Sequence, residues 1–227
     1  MKDIQGKAIL DYYKGNESAT LLIHNNYDDP EEMPVEVFFR ESEDLSTLEH
    51  LALIECEGSV LDLGAGAGVH TLILQERGFE VTALDNSPGS VEVMKRSGVK
   101  NCQLADFNSH HKKYNTILCL MNGLGLAGKL NQLPRFLQKC MTLLSPNGKL
   151  LVDSSDISYL YEDGLAAPSD YFGEVRYQYE YKGEKGEWFD WLYVDQDTLS
   201  SVVHSLNLKI EILHTDENDQ YLACISR

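Results

Sequence analysis

From Gly58 onward the chain alternates short β-rich runs with helical stretches, and no other feature constrains the fold as strongly. Residues 59–63, 79–84, 100–104, 115–121 and 149–153 read as five strands. Between them, 69–77 and 131–144 read as helices. The second of these carries Leu133, Leu137, Cys140, Met141 and Leu144 on one face. A further helix opens at Ser87-Pro88, with Ser as N-cap and Pro in the first turn, and ends at Gly98. Parallel strands need crossovers of a dozen or more residues, usually helical, so this spacing predicts a parallel sheet covered on both faces.

The ends of the chain have another character. Residues 1–57 read as a cover of helix and loop, in which Ser46-x-x-Glu49 is a capping box opening a helix through about Cys56. Residues 58–155 form the core, and 156–194 an insertion. Within the insertion Val175, Tyr177, Tyr179 and Tyr181 alternate with polar residues, as do Phe189, Trp191 and Tyr193 after a glycine-flanked turn. That pattern predicts an antiparallel hairpin. Residues 195–227 give a closing helix at 196–206 and two strands, 208–214 and 220–226. The short joint at 215–219 makes those strands antiparallel. The whole reads as one domain of 227 residues.

Two glycine-rich segments follow strands. Gly123-Leu124-Gly125-Leu126-Ala127-Gly128-Lys129 nearly spells a phosphate loop, but Leu130 stands where Ser or Thr would hold magnesium. No acid follows about 20 residues on, as a dinucleotide loop requires. It reads as a flexible connection at a substrate rim. Gly64-Ala65-Gly66-Ala67-Gly68 does have such a partner in Asp85, 21 positions after Gly64 at the end of the next strand. A carboxylate there can accept both hydroxyls of a ribose.

Val60-Leu61-Asp62-Leu63-Gly64-Ala65-Gly66-Ala67-Gly68 resembles the cofactor signature of class I S-adenosylmethionine-dependent methyltransferases. The likeness continues down the chain. Asp85 matches that family's ribose-binding acid, and Ala105-Asp106-Phe107 its adenine-binding segment. Leu120-Met121-Asn122 closes the fourth strand, where such enzymes face the methyl donor. The resemblance implies an α/β Rossmann-like three-layer sandwich. Its seven-stranded sheet would be mostly parallel with an antiparallel last strand, plus the inserted hairpin. It implies S-adenosyl-L-methionine as cofactor, bound by Asp62, Gly64, Ala65, Gly66, Asp85, Asn86, Ala105, Asp106, Phe107, Leu120 and Met121. Tyr13 or Arg40 would approach the methionine end, Arg40 through its carboxylate.

Methyl transfer of this kind is an in-line displacement, so orientation and exclusion of water supply most of the acceleration. A general base is needed only for a protonated acceptor, and no catalytic residue stands out. Asn122 reads either as a substrate contact or as a turn cap. The stretch 159–193 holds 11 of the 21 aromatic residues. Tyr171 and Trp188 are its candidates for a pocket wall around an apolar or cationic acceptor. The competing reading, favoured for most of these rings, is a hairpin packed on the core or on a second copy, in a monomer or homodimer.

Charge narrows the substrate. Asp and Glu number 36 against 19 Lys and Arg, a net −17. A nucleic-acid partner needs a basic patch, and none is present; an anionic membrane is disfavoured by the same sign. No apolar run approaches a transmembrane length, and Met1-Lys2-Asp3 opens no signal peptide, so the expectation is a cytoplasmic protein acting on a small-molecule methyl acceptor. Five scattered cysteines and seven unclustered histidines give no metal-ligand spacing; His110-His111 reads as loop surface. Two other readings stay open. A nicotinamide-dependent oxidoreductase is disfavoured by Val69, where its third glycine would stand, and by the closing antiparallel strand. The other is a non-catalytic S-adenosylmethionine-binding protein.

Overall fold

The computed structural model describes residues 2–161 and 171–227. Seven strands make the central sheet: β3 (Ser59–Leu63), β4 (Glu80–Asp85), β5 (Cys102–Leu104), β6 (Tyr114–Cys119), β7 (Leu144–Ser155), β11 (Lys209–Thr215) and β12 (Gln220–Ser226). They lie in the order β11-β12-β7-β6-β3-β4-β5. The five strands from β5 to β7 are mutually parallel, and β12 runs antiparallel to both its neighbours. This is the mixed sheet that the resemblance implies.

Alternation along each strand feeds two apolar layers. Val60, Val81, Leu118, Leu151 and Leu222 face a cluster with α2 (Thr47–Ile54) and Leu74 of α3 (Val69–Glu76). Their neighbours Leu61, Ile117, Leu150 and Ala223 face the opposite cluster, with α5 (Leu133–Leu143) and α6 (Gln196–Ser205). Helix α4 (Pro88–Arg96) begins as its sequence predicts: the Ser87 hydroxyl accepts the Ser90 N–H at 3.0 Å, and Gly98 leaves the helix at φ 93°. No helix among the described residues is long and apolar enough to cross a membrane.

The N-terminal segment corrects the expectation of a cover made of helix and loop. Besides α1 (Ile4–Tyr13) and α2 it contains two strands, β1 (Thr20–Asn25) and β2 (Glu31–Pro34). They join the inserted strands β8 (Glu174–Tyr181), β9 (Glu184–Lys185) and β10 (Phe189–Leu192) in a second, antiparallel sheet. Its order is β10-β8-β1-β2, with β9 on β8. Leu21-Leu22-Ile23 lacks the alternation of a half-buried strand, and its partner β8 lies about 150 residues away, so local pattern could not reveal it. Residues 162–170 of the insertion lie outside the described residues. His110 is a second correction. It is buried, its Nε2 lies 2.9 Å from the Tyr114 hydroxyl, and the Lys139 ammonium donates to its carbonyl at 2.6 Å.

Two carboxylates tie the cover to the core. Asp3 caps α1 through the Gly6 N–H and also accepts the Ser87 hydroxyl (2.9 Å) and the Gly89 N–H (2.8 Å). Glu49 receives both terminal nitrogens of Arg40 (2.9 and 2.7 Å), the His70 Nε2 contact (2.8 Å) and the Ser46 N–H (2.9 Å). Burial alone would raise the Glu49 carboxyl, but the bonds from His70, Arg40 and Ser46 outweigh it and hold the group far below the usual carboxylate range. A depressed carboxyl adds stability above its unfolded value and loses it as pH falls through its folded one. Glu49→Gln should therefore cost about 3 kcal/mol near pH 7. In urea melts at stepped pH, the gap from wild type should narrow only below about pH 4.5, the ordinary glutamate value.

Candidate active site at the carboxyl edge of the sheet

The strand order reverses between β3 and β6, the point at which a parallel α/β sheet places a ligand crevice, and the loops leaving the two strands approach each other there, Leu126 beside Gly64. After β3, the Gly64 and Ala65 N–H groups donate to the Leu84 carbonyl (2.9 and 3.2 Å), which draws the loop over the end of β4. Gly64 and Gly66 have φ of 77° and 57°, values that favour glycine. A Cβ on either would meet no backbone, only the end of one side chain. The nearest atoms are Cδ1 of Leu126, 3.4 Å from Gly64, and Cδ1 of Phe38, 3.6 Å from Gly66. The loop thus offers bare backbone to a cradle bordered by those two side chains.

Asp85 closes the other side. One of its oxygens accepts the Gly66 N–H and the other the Ser87 N–H, both at 2.8 Å. Burial raises its carboxyl above the ordinary range, opposed by those two backbone bonds. Among the described residues no cation forms an ion pair with it, and each oxygen retains a lone pair. Asn86 beside it is exposed. The Ala105 N–H donates to the Asp85 carbonyl at 3.1 Å, bringing the segment after β5 to the same edge. Asp106 is exposed and caps the Asn108 N–H, while the Phe107 ring rests 5.4 Å from that of Phe136.

The segment after β6 is strained. Met121 and Asn122 both occupy the left-handed region, at φ 64° and 57°, which is uncommon for one non-glycine residue and more so for two in sequence. Asp153, at the end of β7, holds the turn by accepting the Asn122 and Gly123 N–H groups, both at 2.9 Å. It also accepts the Gln220 amide at 2.9 Å. The Asn122 side chain accepts the Ser155 hydroxyl at 2.8 Å. Residues Gly123–Ala127 then form a 3-10 helix, not the flexible connection their sequence suggests. A Cβ on Gly125 would overlap the Trp191 indole, so only glycine admits this contact with the second sheet.

The remaining expected residues have partners of their own. Asp62 is fully buried and accepts the Thr71 hydroxyl at 2.6 Å, pinning the first turn of α3 beneath the glycine loop. Leu120 packs in the apolar layer beside Leu118, and Met121 is exposed. Arg40 turns its guanidinium onto Glu49, so both terminal nitrogens that would meet a methionine carboxylate are engaged. Tyr13 is exposed at the end of α1. The Tyr171 hydroxyl donates to Asp195 at 2.7 Å and accepts its N–H at 3.0 Å, a bond that secures the cap of α6. Trp188 is exposed on the hairpin, with the Arg176 guanidinium 5.7 Å from its ring. Asp153 escaped the sequence reading, although it left a signal: an acid closing a strand, as Asp85 does.

A family profile described as a methyltransferase domain matches residues 60–148. The crystal structure of an S-adenosylmethionine-dependent methyltransferase from Bacteroides fragilis, in complex with S-adenosyl-L-homocysteine, superimposes with a TM-score of 0.93. It is 41% identical and covers 99% of this chain and 94% of that one. The glycine/sarcosine N-methyltransferase of Parasynechococcus marenigrum is 30% identical over 117 residues, 48% of this chain and 42% of that protein. The glycine/sarcosine/dimethylglycine N-methyltransferase of Actinopolyspora halophila is 26% identical over 124 residues, 50% of this chain and 22% of that protein. The match spans less than half the length of these two curated relatives. The fold and the carboxyl-edge crevice are those of a class I methyltransferase. The chain belongs to the S-adenosylmethionine-dependent methyltransferase family.

Replacing Asp153 by alanine strands two N–H groups at the strained turn. The variant should lose about 3 kcal/mol of stability, the scale of unsatisfied buried donors, in a denaturant titration; Asp153→Asn, which keeps an acceptor, should lose less.

Proposed function

We propose that this chain transfers a methyl group to a small-molecule acceptor in the crevice between the glycine loop and the second sheet. The observation that carries the reading is Asp85, a half-buried carboxylate with no cationic partner among the described residues, beside a glycine pair whose missing side chains leave a cradle. These residues fit S-adenosylmethionine. Asp85 accepts the ribose hydroxyls on its remaining lone pairs, while Gly64, Ala65 and Gly66 allow close approach to the backbone. Ala105, Asp106 and Phe107 border the adenine, with Asn86 beside the ribose. Asp62 acts from beneath by fixing α3, Met121 and Asn122 stand at the turn toward the reacting end, and Leu120 supports that turn from the apolar layer. Tyr13, at the end of the covering helix, stays with the methionine end; Arg40 acts there by holding the cover through Glu49.

The sulfonium of the bound cofactor supplies an already activated methyl group. The protein's part is orientation and exclusion of water. Phe38, Leu126 and Trp191 line the crevice with apolar surface, and the bond network on Asp153 fixes the turn that faces it. The enclosing second sheet supports a small acceptor, as do the two N-methyltransferase relatives and the net charge of −17.

Calorimetry with S-adenosylmethionine, S-adenosylhomocysteine, NAD and NADP tests the site. The first two should bind saturably, and Asp85→Ala should weaken them by about 1–3 kcal/mol, the range for hydrogen bonds to a charged group. Binding of NAD without a response to S-adenosylmethionine would overturn the reading. Uptake of the cofactor with no methylated product across a broad acceptor panel would make this a binding protein.

A further inference from the structure

The inner face of the second sheet carries a set of phenol hydroxyls that the fold does not need. Strand pairing sets Phe189 opposite Tyr177 and Trp191 opposite Val175, so these side chains, with Tyr179, share one face. That face meets the crevice, because Trp191 lies against Gly125 and the next residue, Leu126, borders Gly64. The Tyr27 and Tyr177 hydroxyls are 3.4 Å apart, and those of Tyr177 and Tyr193 are 3.1 Å apart. All three residues are only half-buried although they sit on the covered side. A fourth hydroxyl, that of Tyr161, is buried and has no hydrogen-bond partner, the one such side-chain atom among the described residues. The phenol whose charge bears on it is Tyr27. A buried hydroxyl without a partner is costly in an empty protein and explicable where a ligand supplies the bond.

We propose that Tyr27, Tyr161, Tyr177 and Tyr193 form the acceptor subsite, and that the acceptor they take is an amine. The proposal rests on the methyl-transfer reading above. Phenol oxygens accept N–H bonds, and the faces of Phe189, Tyr179 and Trp191 attract a cation. The charges that bear on Tyr27 and Tyr193 are negative, from Glu31 and, at Tyr27, also Asp28. The cations Arg176 and Lys185 and the His24 imidazole sit on alternate positions and are paired with Glu180 or Asp190. A carboxylate would be desolvated against this face with no counter-charge, whereas an ammonium would not. Burial holds all four phenols above their ordinary range, so they stay neutral and serve as hydrogen-bonding groups. An ammonium docked here gives one proton to water. Its freed lone pair forms the N–CH3 bond as the S–CH3 electron pair returns to sulfur, and the N-methylammonium product carries the positive charge.

The test uses the full chain saturated with S-adenosylhomocysteine and titrated calorimetrically with benzylamine, benzyl alcohol and benzoate, three probes of one shape. Benzylamine should bind at least tenfold more tightly than the other two. Tyr177→Phe and Tyr161→Phe should each weaken it at least fivefold with S-adenosylhomocysteine affinity unchanged. Tyr161→Phe should also raise the melting temperature of the unliganded protein, because it deletes an unpaired buried hydroxyl. Equal or tighter binding of the alcohol or the benzoate, or no binding of any probe while S-adenosylhomocysteine still binds, would overturn the amine subsite and leave the methyl-transfer reading standing. So would a Tyr161→Phe variant of lowered melting temperature and unchanged amine affinity. Failure of S-adenosylhomocysteine itself to bind would remove the underlying reading instead.

Discussion

Three carboxylates at the ends of parallel strands, Asp62, Asp85 and Asp153, hold the loops from which the crevice is made. Burial opposes the charge on each, and none is compensated by an ion pair among the described residues. Their stabilisation comes from N–H and O–H donors instead: Thr71 for Asp62, Gly66 and Ser87 for Asp85, and Asn122, Gly123 and Gln220 for Asp153. A hydrogen bond to a carboxylate is stronger than one between neutral groups, and these converge on backbone that no helix or ladder satisfies. One kind of interaction therefore fixes the glycine loop, the start of α4 and the strained turn after β6. It does so without a lysine or arginine, among the described residues, that would engage the remaining lone pairs of Asp85.

The central sheet was legible because its signals are local. Alternating β and helical periods, the Ser87-Pro88 start and the tight joint before β12 each act within a few residues, and together they allow one arrangement. Asp85 was legible for the same reason, as its distance from Gly64 is the length of one helix and one strand. What local pattern misses has a distant partner. Strand β1 pairs with β8, and Arg40 meets Glu49 and, through it, His70 of α3. Gly125 is ordered by an indole that arrives from β10. His110 looked like surface because its partners, Tyr114 and Lys139, come from two different elements.

The second sheet changes what the N-terminal segment and the insertion mean. Taken separately, one is an unremarkable leader and the other an aromatic hairpin. Joined as β10-β8-β1-β2 they form one wall. Pairing β1 with β8 closes a loop of about 150 residues, whose entropy grows slowly with length and is offset by apolar burial around Leu21, Ile9, Val35 and Tyr181. The wall is then anchored twice to the cofactor half: by Asp3 on the start of α4, next to Asp85, and by Glu49 gripping Arg40 and His70. Cover and glycine loop thus share their supports, so a change in one is felt in the other.

Neutral phenols in a half-buried wall are hydrogen-bonding groups at neutral pH, not general bases. A base acting at neutral pH would need a histidine or a raised carboxylate within reach of the acceptor. The raised carboxylates here are already committed to hydrogen bonds that hold the loops, and the Tyr27, Tyr177 and Tyr193 hydroxyls are held above their ordinary range chiefly by burial. What such a wall can do is select: it satisfies N–H groups, presents ring faces to positive charge and sets Glu31 within electrostatic range. The net charge of −17 acts outside the wall, by favouring encounter with cations. The phenols and rings act inside it, where the choice among amines of different shape is made by the space between Tyr177, Phe189 and Trp191.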